Sequence, residues 1–239
     1  MNTFCVGVVF LHVTIVTLQA AVEVTTTCKS KRVASFKDKL STSWLVSQQN
    51  VKGVRQCAVL CLSDVRCVSF VYSGVINDCR LFAVVKTTSD MTTSTPGYQY
   101  YDTCKGVGYY GAACSSDPDC SLPQTRCFQS VCRCQPGYSF DPYQAACVAT
   151  CATYGPEFEA VPDHFINANN EESLMDYDTQ MCLDRCRQAT TYLCRSADVR
   201  ISPDPACSTA SVTKLDVPAA DWLPGNTWVT VHYQRHCAL

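Results

Sequence analysis

A small, disulfide-rich multidomain protein built of α+β modules is the fold class this sequence predicts, and three observations predict it. Eighteen of its 19 cysteines lie downstream of one hydrophobic leader and fall by position into three consecutive sets of six. The first and third sets repeat nearly the same spacing. Each of those two sets also pairs a cysteine couple at helical period with apolar residues that alternate at strand period.

The leader comes first. Phe4 to Leu18 carries no charge and is mostly apolar, and Ala20 and Ala21 precede a polar, Thr-rich start. This reads as a secretory signal peptide over residues 1–21, cleaved near Ala20 to Val22. A membrane anchor needs about 18 apolar residues or more, and this run is shorter and interrupted by His12 and two threonines. Cys5 leaves with the leader, so the remaining even number of cysteines can close nine bridges.

Cysteine at this density belongs to oxidising compartments, where domains too small for a large core substitute covalent links for buried area. The mature chain is therefore expected to be secreted and extracellular, with no membrane span and no hydrophobic tail after Cys237. There is no Asn-x-Ser/Thr sequon, so N-glycosylation is not expected.

The repeat organises the rest. One set runs Cys57-x3-Cys61-x5-Cys67-x11-Cys79-x24-Cys104, and the other Cys182-x3-Cys186-x7-Cys194-x12-Cys207-x29-Cys237. Each is preceded by a distant cysteine, Cys28 or Cys151. Residues four apart share a helix face, and Val54, Cys57, Ala58 and Cys61 form an apolar stripe, as do Thr179, Cys182, Leu183 and Cys186 behind a candidate N-cap at Asp178. Val68, Phe70 and Tyr72, and later Val229, Val231 and Tyr233, alternate as strands for such a helix to pack on. The Thr/Ser-rich stretch Thr87 to Thr95 reads as a mobile loop between strands.

Cys57-Ala-Val-Leu-Cys61, Cys67-Val-Ser-Phe70, Cys79-Arg-Leu81 and the closing Tyr100 and Cys104 resemble the PAN/apple family. So do Cys182-Leu-Asp-Arg-Cys186 and Cys194-Arg-Ser196. The resemblance implies two modules, residues 22–104 and 151–239, each an antiparallel sheet with one packed helix. Six cysteines permit 15 pairings. The resemblance implies Cys28 with Cys104, Cys57 with Cys79 and Cys61 with Cys67, then Cys151 with Cys237, Cys182 with Cys207 and Cys186 with Cys194. The second copy departs from the pattern in the longer segment Thr209 to Asn226, which holds Pro218 and Pro224 and no clear strand.

Between the copies, Cys114, Cys120, Cys127, Cys132, Cys134 and Cys147 end in Cys132-Arg-Cys134-Gln-Pro-Gly137-Tyr138. This resembles an EGF-like module over residues 105–150. It implies short β-hairpins and the pairs Cys114 with Cys127, Cys120 with Cys132 and Cys134 with Cys147. The acidic residues that calcium-binding members carry before the first cysteine are replaced by Gly111-Ala112-Ala113, so no calcium site is expected. Short linkers predict a compact rod of three modules.

Charge is uneven. Glu23 to Cys104 holds 10 Lys+Arg against 6 Asp+Glu, Lys105 to Thr150 holds 3 against 3, and Cys151 onward holds 6 against 12. Lys29, Lys31, Arg32, Lys37 and Lys39 form a candidate site for an anionic ligand such as a sulfated or sialylated glycan. Glu157, Glu159, Glu171, Glu172, Asp176 and Asp178 could meet that basic end in another copy, giving head-to-tail self-association. The compartment and the net charge of −2 disfavour nucleic acid.

No nucleophile elbow, zinc-protease helix or phosphate loop occurs, so no catalytic residue and no cofactor is expected. His232 and His236 are four apart; on a strand that is about 13 Å, too far to share one ion, and they read as surface histidines beside a disulfide rather than a metal site. The function expected is a secreted, non-enzymatic protein of recognition or adhesion that binds protein or carbohydrate. The alternatives are a self-assembling component of matrix or mucus, and a secreted inhibitor or effector of a receptor or protease.

Overall fold

The computed structural model describes residues 28–202, 204–225 and 229–239; the leader expected at residues 1–21, with Cys5, lies outside the described residues. The protein is rich in disulfides and dominated by sheet, with two α-helices among the described residues. No helix among them is long and apolar enough to cross a membrane. The chain forms two compact units: the residues up to Ser41 together with Ser47–Val107, and Thr42–Val46 together with Gly108–Leu239.

In the first unit, five strands form one sheet in the order Lys31–Arg32, Tyr98–Asp102, Ser69–Ser73, Asp78–Phe82, Leu45–Asn50. Ser69–Ser73 is the central strand, hydrogen-bonded along both edges. Ser69, Phe70 and Val71 are all fully buried, where alternation alone suggested one buried face. Phe70 stacks on Tyr101 with ring centroids 4.9 Å apart. Tyr100, also fully buried, accepts from the Lys86 amide at 2.8 Å and donates to Asp102 at 2.6 Å, so its hydroxyl keeps partners inside the core.

The apolar stripe at Val54 to Cys61 becomes the helix Val54–Ser63, and it seats Cys57 and Cys61 on the sheet with no exposed surface. Two bridges fix that contact, Cys57–Cys79 into the strand Asp78–Phe82 and Cys61–Cys67 just ahead of Ser69–Ser73. Cys28–Cys104 ties the ends of the unit together. Lys105 Nζ donates to the Cys61 and Asp64 carbonyls at 3.1 and 2.9 Å, covering the open C-terminal end of the helix. The stretch expected as a mobile loop is instead pinned: Thr93–Ser94 pairs with Lys39–Leu40, and Met91 is only 3% exposed.

In the second unit, another five-stranded antiparallel sheet runs Tyr154–Pro162, Val229–Cys237, Ser196–Ser202, Ala206–Ala210, Glu172–Met175. The helix Thr179–Gln188 lies between Glu172–Met175 and Ser196–Ser202 in sequence, and Asp178 caps it by accepting from the Met181 amide at 2.8 Å. Cys182, Cys186, Ala197, Val199 and Cys207 form the core beneath it. Cys151–Cys237, Cys182–Cys207 and Cys186–Cys194 brace this part.

The two sheets share one wiring. In each, the first strand pairs with the last, the last with the strand after the helix, that strand with its hairpin partner, and the partner lies next to the strand before the helix. A small detail repeats as well: Ser69 Oγ donates to the Val84 carbonyl and Ser196 Oγ to the Val212 carbonyl, both at 2.7 Å.

Gly108 to Val148 adds two short hairpins, Thr125–Phe128 with Val131–Cys134 and Ser139–Asp141 with Ala146–Val148. The bridges there are Cys114–Cys127, Cys120–Cys132 and Cys134–Cys147. Gln129 and Ser130, the two residues of the first turn, both take positive φ, the twist a two-residue hairpin requires. The segment expected to lack a strand after Thr209 does contain one, Trp222–Pro224, which pairs with His164–Ile166.

Candidate functional site

Strand alternation sorts the second sheet into two faces. Ala197, Val199 and Tyr233 turn toward the helix, while Ser196, Asp198 and Arg200, with Thr230, His232, Gln234 and His236 on the neighbouring strand, occupy the opposite face. A sheet face with so many polar side chains would ordinarily be wet. Here Thr230, His232, Gln234 and His236 are all buried. His232 and His236 are therefore not the surface histidines that their position in the sequence implied; both are completely enclosed.

Near one end of this face lies a cavity of about 180 Å³, lined by Phe165, Asn167, Asn170, Asp198, Arg200 and Ser208 among others. Asp198 organises its floor. His232 Nδ1 lies 2.8 Å from Asp198 Oδ1, and the Ile166 amide donates to Oδ2 at 3.2 Å. With the carboxylate accepting, Nδ1 of His232 carries a hydrogen, and Nε2 has no hydrogen-bond partner. Thr230 Oγ1 is likewise without one. Trp222 meets His232 edge-on at 4.9 Å, and His164 stacks on Trp222 at 5.0 Å. Ala168, in the lining, and Asn169 beside it both take left-handed backbone conformations, which non-glycine residues adopt at some cost. The cavity thus offers a carboxylate, a guanidinium, two amides, two hydroxyls and one aromatic ring. That set can hydrogen-bond a small polar ligand.

Residues 28–109 match the family model described as PAN domain. The chain carries one PAN domain. Solved structures similar to the chain include the solution structure ensemble of the two N-terminal apple domains of Toxoplasma gondii microneme protein 4, at 13% identity and a TM-score of 0.25, covering 84% of this chain and 94% of that one. No curated protein matches the chain. PAN domains are binding modules for protein or carbohydrate, and a chain stapled by so many bridges is of the extracellular kind.

The basic residues singled out in the sequence all lie in this PAN domain. Lys31 and Arg32 form its edge strand against Tyr101 and Asp102, with Lys29, Lys31, Arg32 and Lys37 exposed and Lys39 half-buried. Lys37 has Asp38 3.9 Å away. The acidic residues outside the PAN domain are less available than their number implies. Glu172 pairs with Arg185, Glu171 accepts from Ser211 Oγ, Asp178 caps its helix and Glu159 is buried. The carboxylates that invite a calcium reading are also engaged: Asp117 accepts from the Cys127 amide and Asp119 from Ser115 and Ser116. The sulfurs of Cys114, Cys120 and Cys132 come within 4.8 Å of one another, but each is already in a bridge.

Asp198 was absent from the sequence-based candidates, and His232 was weighed there only as a metal ligand and set aside. The signal that would have found them is the run Thr230, His232, Gln234, His236, four polar residues at period two on a strand whose other face carries Val229, Val231 and Tyr233.

Proposed function

We propose that this chain is a secreted, non-enzymatic recognition protein that binds carbohydrate or protein outside the cell. In this reading residues 151–239 are a second PAN-like module and residues 105–150 an EGF-like spacer. The observation that carries it is the wiring of the second sheet, which repeats the strand order of the PAN domain's sheet and holds a polar cavity on the face away from its helix. The half-polar lining, with Asp198 and Arg200 beside Asn167, Asn170 and Phe165, supports a hydroxyl-rich ligand held by hydrogen bonds. The exposed edge strand Lys31–Arg32 supports a separate, salt-sensitive contact with an anionic glycan. Head-to-tail assembly has less in its favour, because several of its acidic residues are already bound within the chain.

A glycan array of sulfated, sialylated and neutral ligands, probed at two salt concentrations, tests this. The oxidised mature chain is compared with the paired variants Lys31→Glu/Arg32→Glu and Asn170→Ala/Arg200→Ala. Salt-insensitive binding lost only in the second pair supports the cavity, and salt-sensitive binding lost only in the first supports the basic edge. No binding to any array member would end the carbohydrate reading and leave a protein ligand.

A further inference from the structure

One run of hydroxyls in the PAN domain serves neither its core nor the ligand surfaces described above. We propose that Thr92, Thr93 and Ser94 are acceptors for O-linked glycosylation, each hydroxyl taking a sugar from a nucleoside diphosphate sugar. The proposal rests on the secretion proposed above, because such transfer takes place along the secretory route.

The hydroxyls between Thr87 and Thr95 fall into two groups. Thr87 Oγ1 donates to Asp90 Oδ2 at 2.7 Å, the Thr87 amide donates to the same oxygen at 2.8 Å, and Ser89 Oγ lies 2.8 Å from Thr87 Oγ1. Those hydroxyls close a turn. Thr92, Thr93 and Ser94 are exposed, and their side chains make no hydrogen bond among the described residues. The same domain spends other hydroxyls inside: Thr103 Oγ1 donates to the Val68 carbonyl at 2.7 Å.

The backbone is fixed where the hydroxyls are unengaged. Buried Met91 anchors one side. On the other, the Thr95 amide donates to the Asp38 carbonyl at 2.8 Å and the Gly97 amide to Asp38 Oδ1 at 2.7 Å. Between them Thr93 lies opposite Leu40 and Ser94 opposite Lys39, in a ribbon of two strands whose outer edge is open. An extended segment with an open edge is a form in which a second protein can read a peptide. Exposed Pro96 fixes its own φ and holds Thr95 out of the helical region, and Ser/Thr runs with proline are the composition of O-glycosylated stalks. Thr190 and Thr191 supply the contrast: they are exposed too, but they lie outside any strand and no proline follows them.

The chemistry is a group transfer. The side-chain oxygen bonds to the anomeric carbon of the sugar as the bond from that carbon to the diphosphate oxygen breaks. The electron pair of the broken bond leaves on the nucleoside diphosphate. The hydroxyl proton passes to a base of the transferase and then to solvent, and nothing is oxidised or reduced.

The test expresses the full chain in cultured mammalian cells and localises any sugar in the secreted protein by fragmentation mass spectrometry. Sugar is expected on Thr92, Thr93 or Ser94. Its mass is lost completely in Thr92→Ala/Thr93→Ala/Ser94→Ala and kept in Thr190→Ala/Thr191→Ala. A secreted chain that is bare at all three positions overturns the proposal, and so does sugar found only elsewhere. If the chain stays inside the cells, it is the secretion reading that fails. The acceptor is then tested apart from it, by incubating the oxidised chain with UDP-N-acetylgalactosamine and a purified polypeptide N-acetylgalactosaminyltransferase. Sugar on Thr92 to Ser94 supports the proposal; no transfer, or equal transfer to Thr190 and Thr191, sinks it.

Discussion

The Tyr110 ring lies against Phe140 with centroids 4.5 Å apart and planes 14° apart, so the stack sets the ring while the hydroxyl beyond it reaches His236, Arg133 and Glu159. Packing and hydrogen bonding can therefore be separated. Tyr110→Phe keeps the ring and deletes the one atom that His236, Arg133 and Glu159 share. The expected loss is about 1–3 kcal/mol in reversible urea unfolding of the oxidised protein. A loss within experimental scatter would mean that the hydroxyl is dispensable.

The helices were legible because their cysteines lie four apart on an apolar stripe, and the Asp178 cap because its position precedes that stripe; both elements are present, over Val54–Ser63 and Thr179–Gln188. The central strand Ser69–Ser73 was legible through Phe70 and Tyr72, though not the burial of both its faces, which shows at Ser69, Phe70 and Val71. The enclosed histidines were not legible. The partners of His236 lie 126 and 96 residues away in sequence, at Tyr110 and Phe140, and no local pattern announces a cover supplied from that distance. The Trp222–Pro224 strand was hidden for a similar reason, since it follows a proline and pairs only with the short His164–Ile166.

The bridges should differ in worth according to the loop that each closes. Cys28–Cys104 spans 76 residues and Cys61–Cys67 spans 6. On the chain-entropy view, replacing the first pair by alanines costs about 4.5 kcal/mol and the second about 2 kcal/mol. Equilibrium unfolding of the two double variants checks the ranking, and equal losses would show that local packing around Cys61 outweighs loop entropy.

Asp78 lies at the edge of the first core. Burial pushes its carboxyl up, but hydrogen bonds from Tyr98, Arg80 and Gln48 outweigh that and hold it below the usual 3.8. A depressed carboxyl contributes stability above 3.8 that is lost as pH falls through the lowered value. Asp78→Asn should therefore flatten the acid limb of the stability profile below about pH 4 while lowering stability at neutral pH. Unfolding midpoints between about pH 2 and about pH 7 measure this, and an unchanged acid limb would count against the argument.

Gly137 sits at φ +94, and a Cβ there would come 2.8 Å from Leu215 Cγ. Both effects oppose a side chain. Gly137→Ala is expected to destabilise by about 1–3 kcal/mol. Gly74, whose added Cβ would meet only Tyr72 at 3.6 Å, provides the control, and Gly74→Ala should be nearly neutral in the same thermal melts.

In both sheets the first strand pairs with the last, and a disulfide joins the same two ends, with Cα atoms 5.4 Å apart at Cys28–Cys104 and 5.1 Å apart at Cys151–Cys237. Tension applied to the chain on either side of such a pair passes straight across the sulfur link. The strands between carry none of the load. While oxidised, each sheet is an inextensible bead, and only reduction of its outer bridge would let force peel it open.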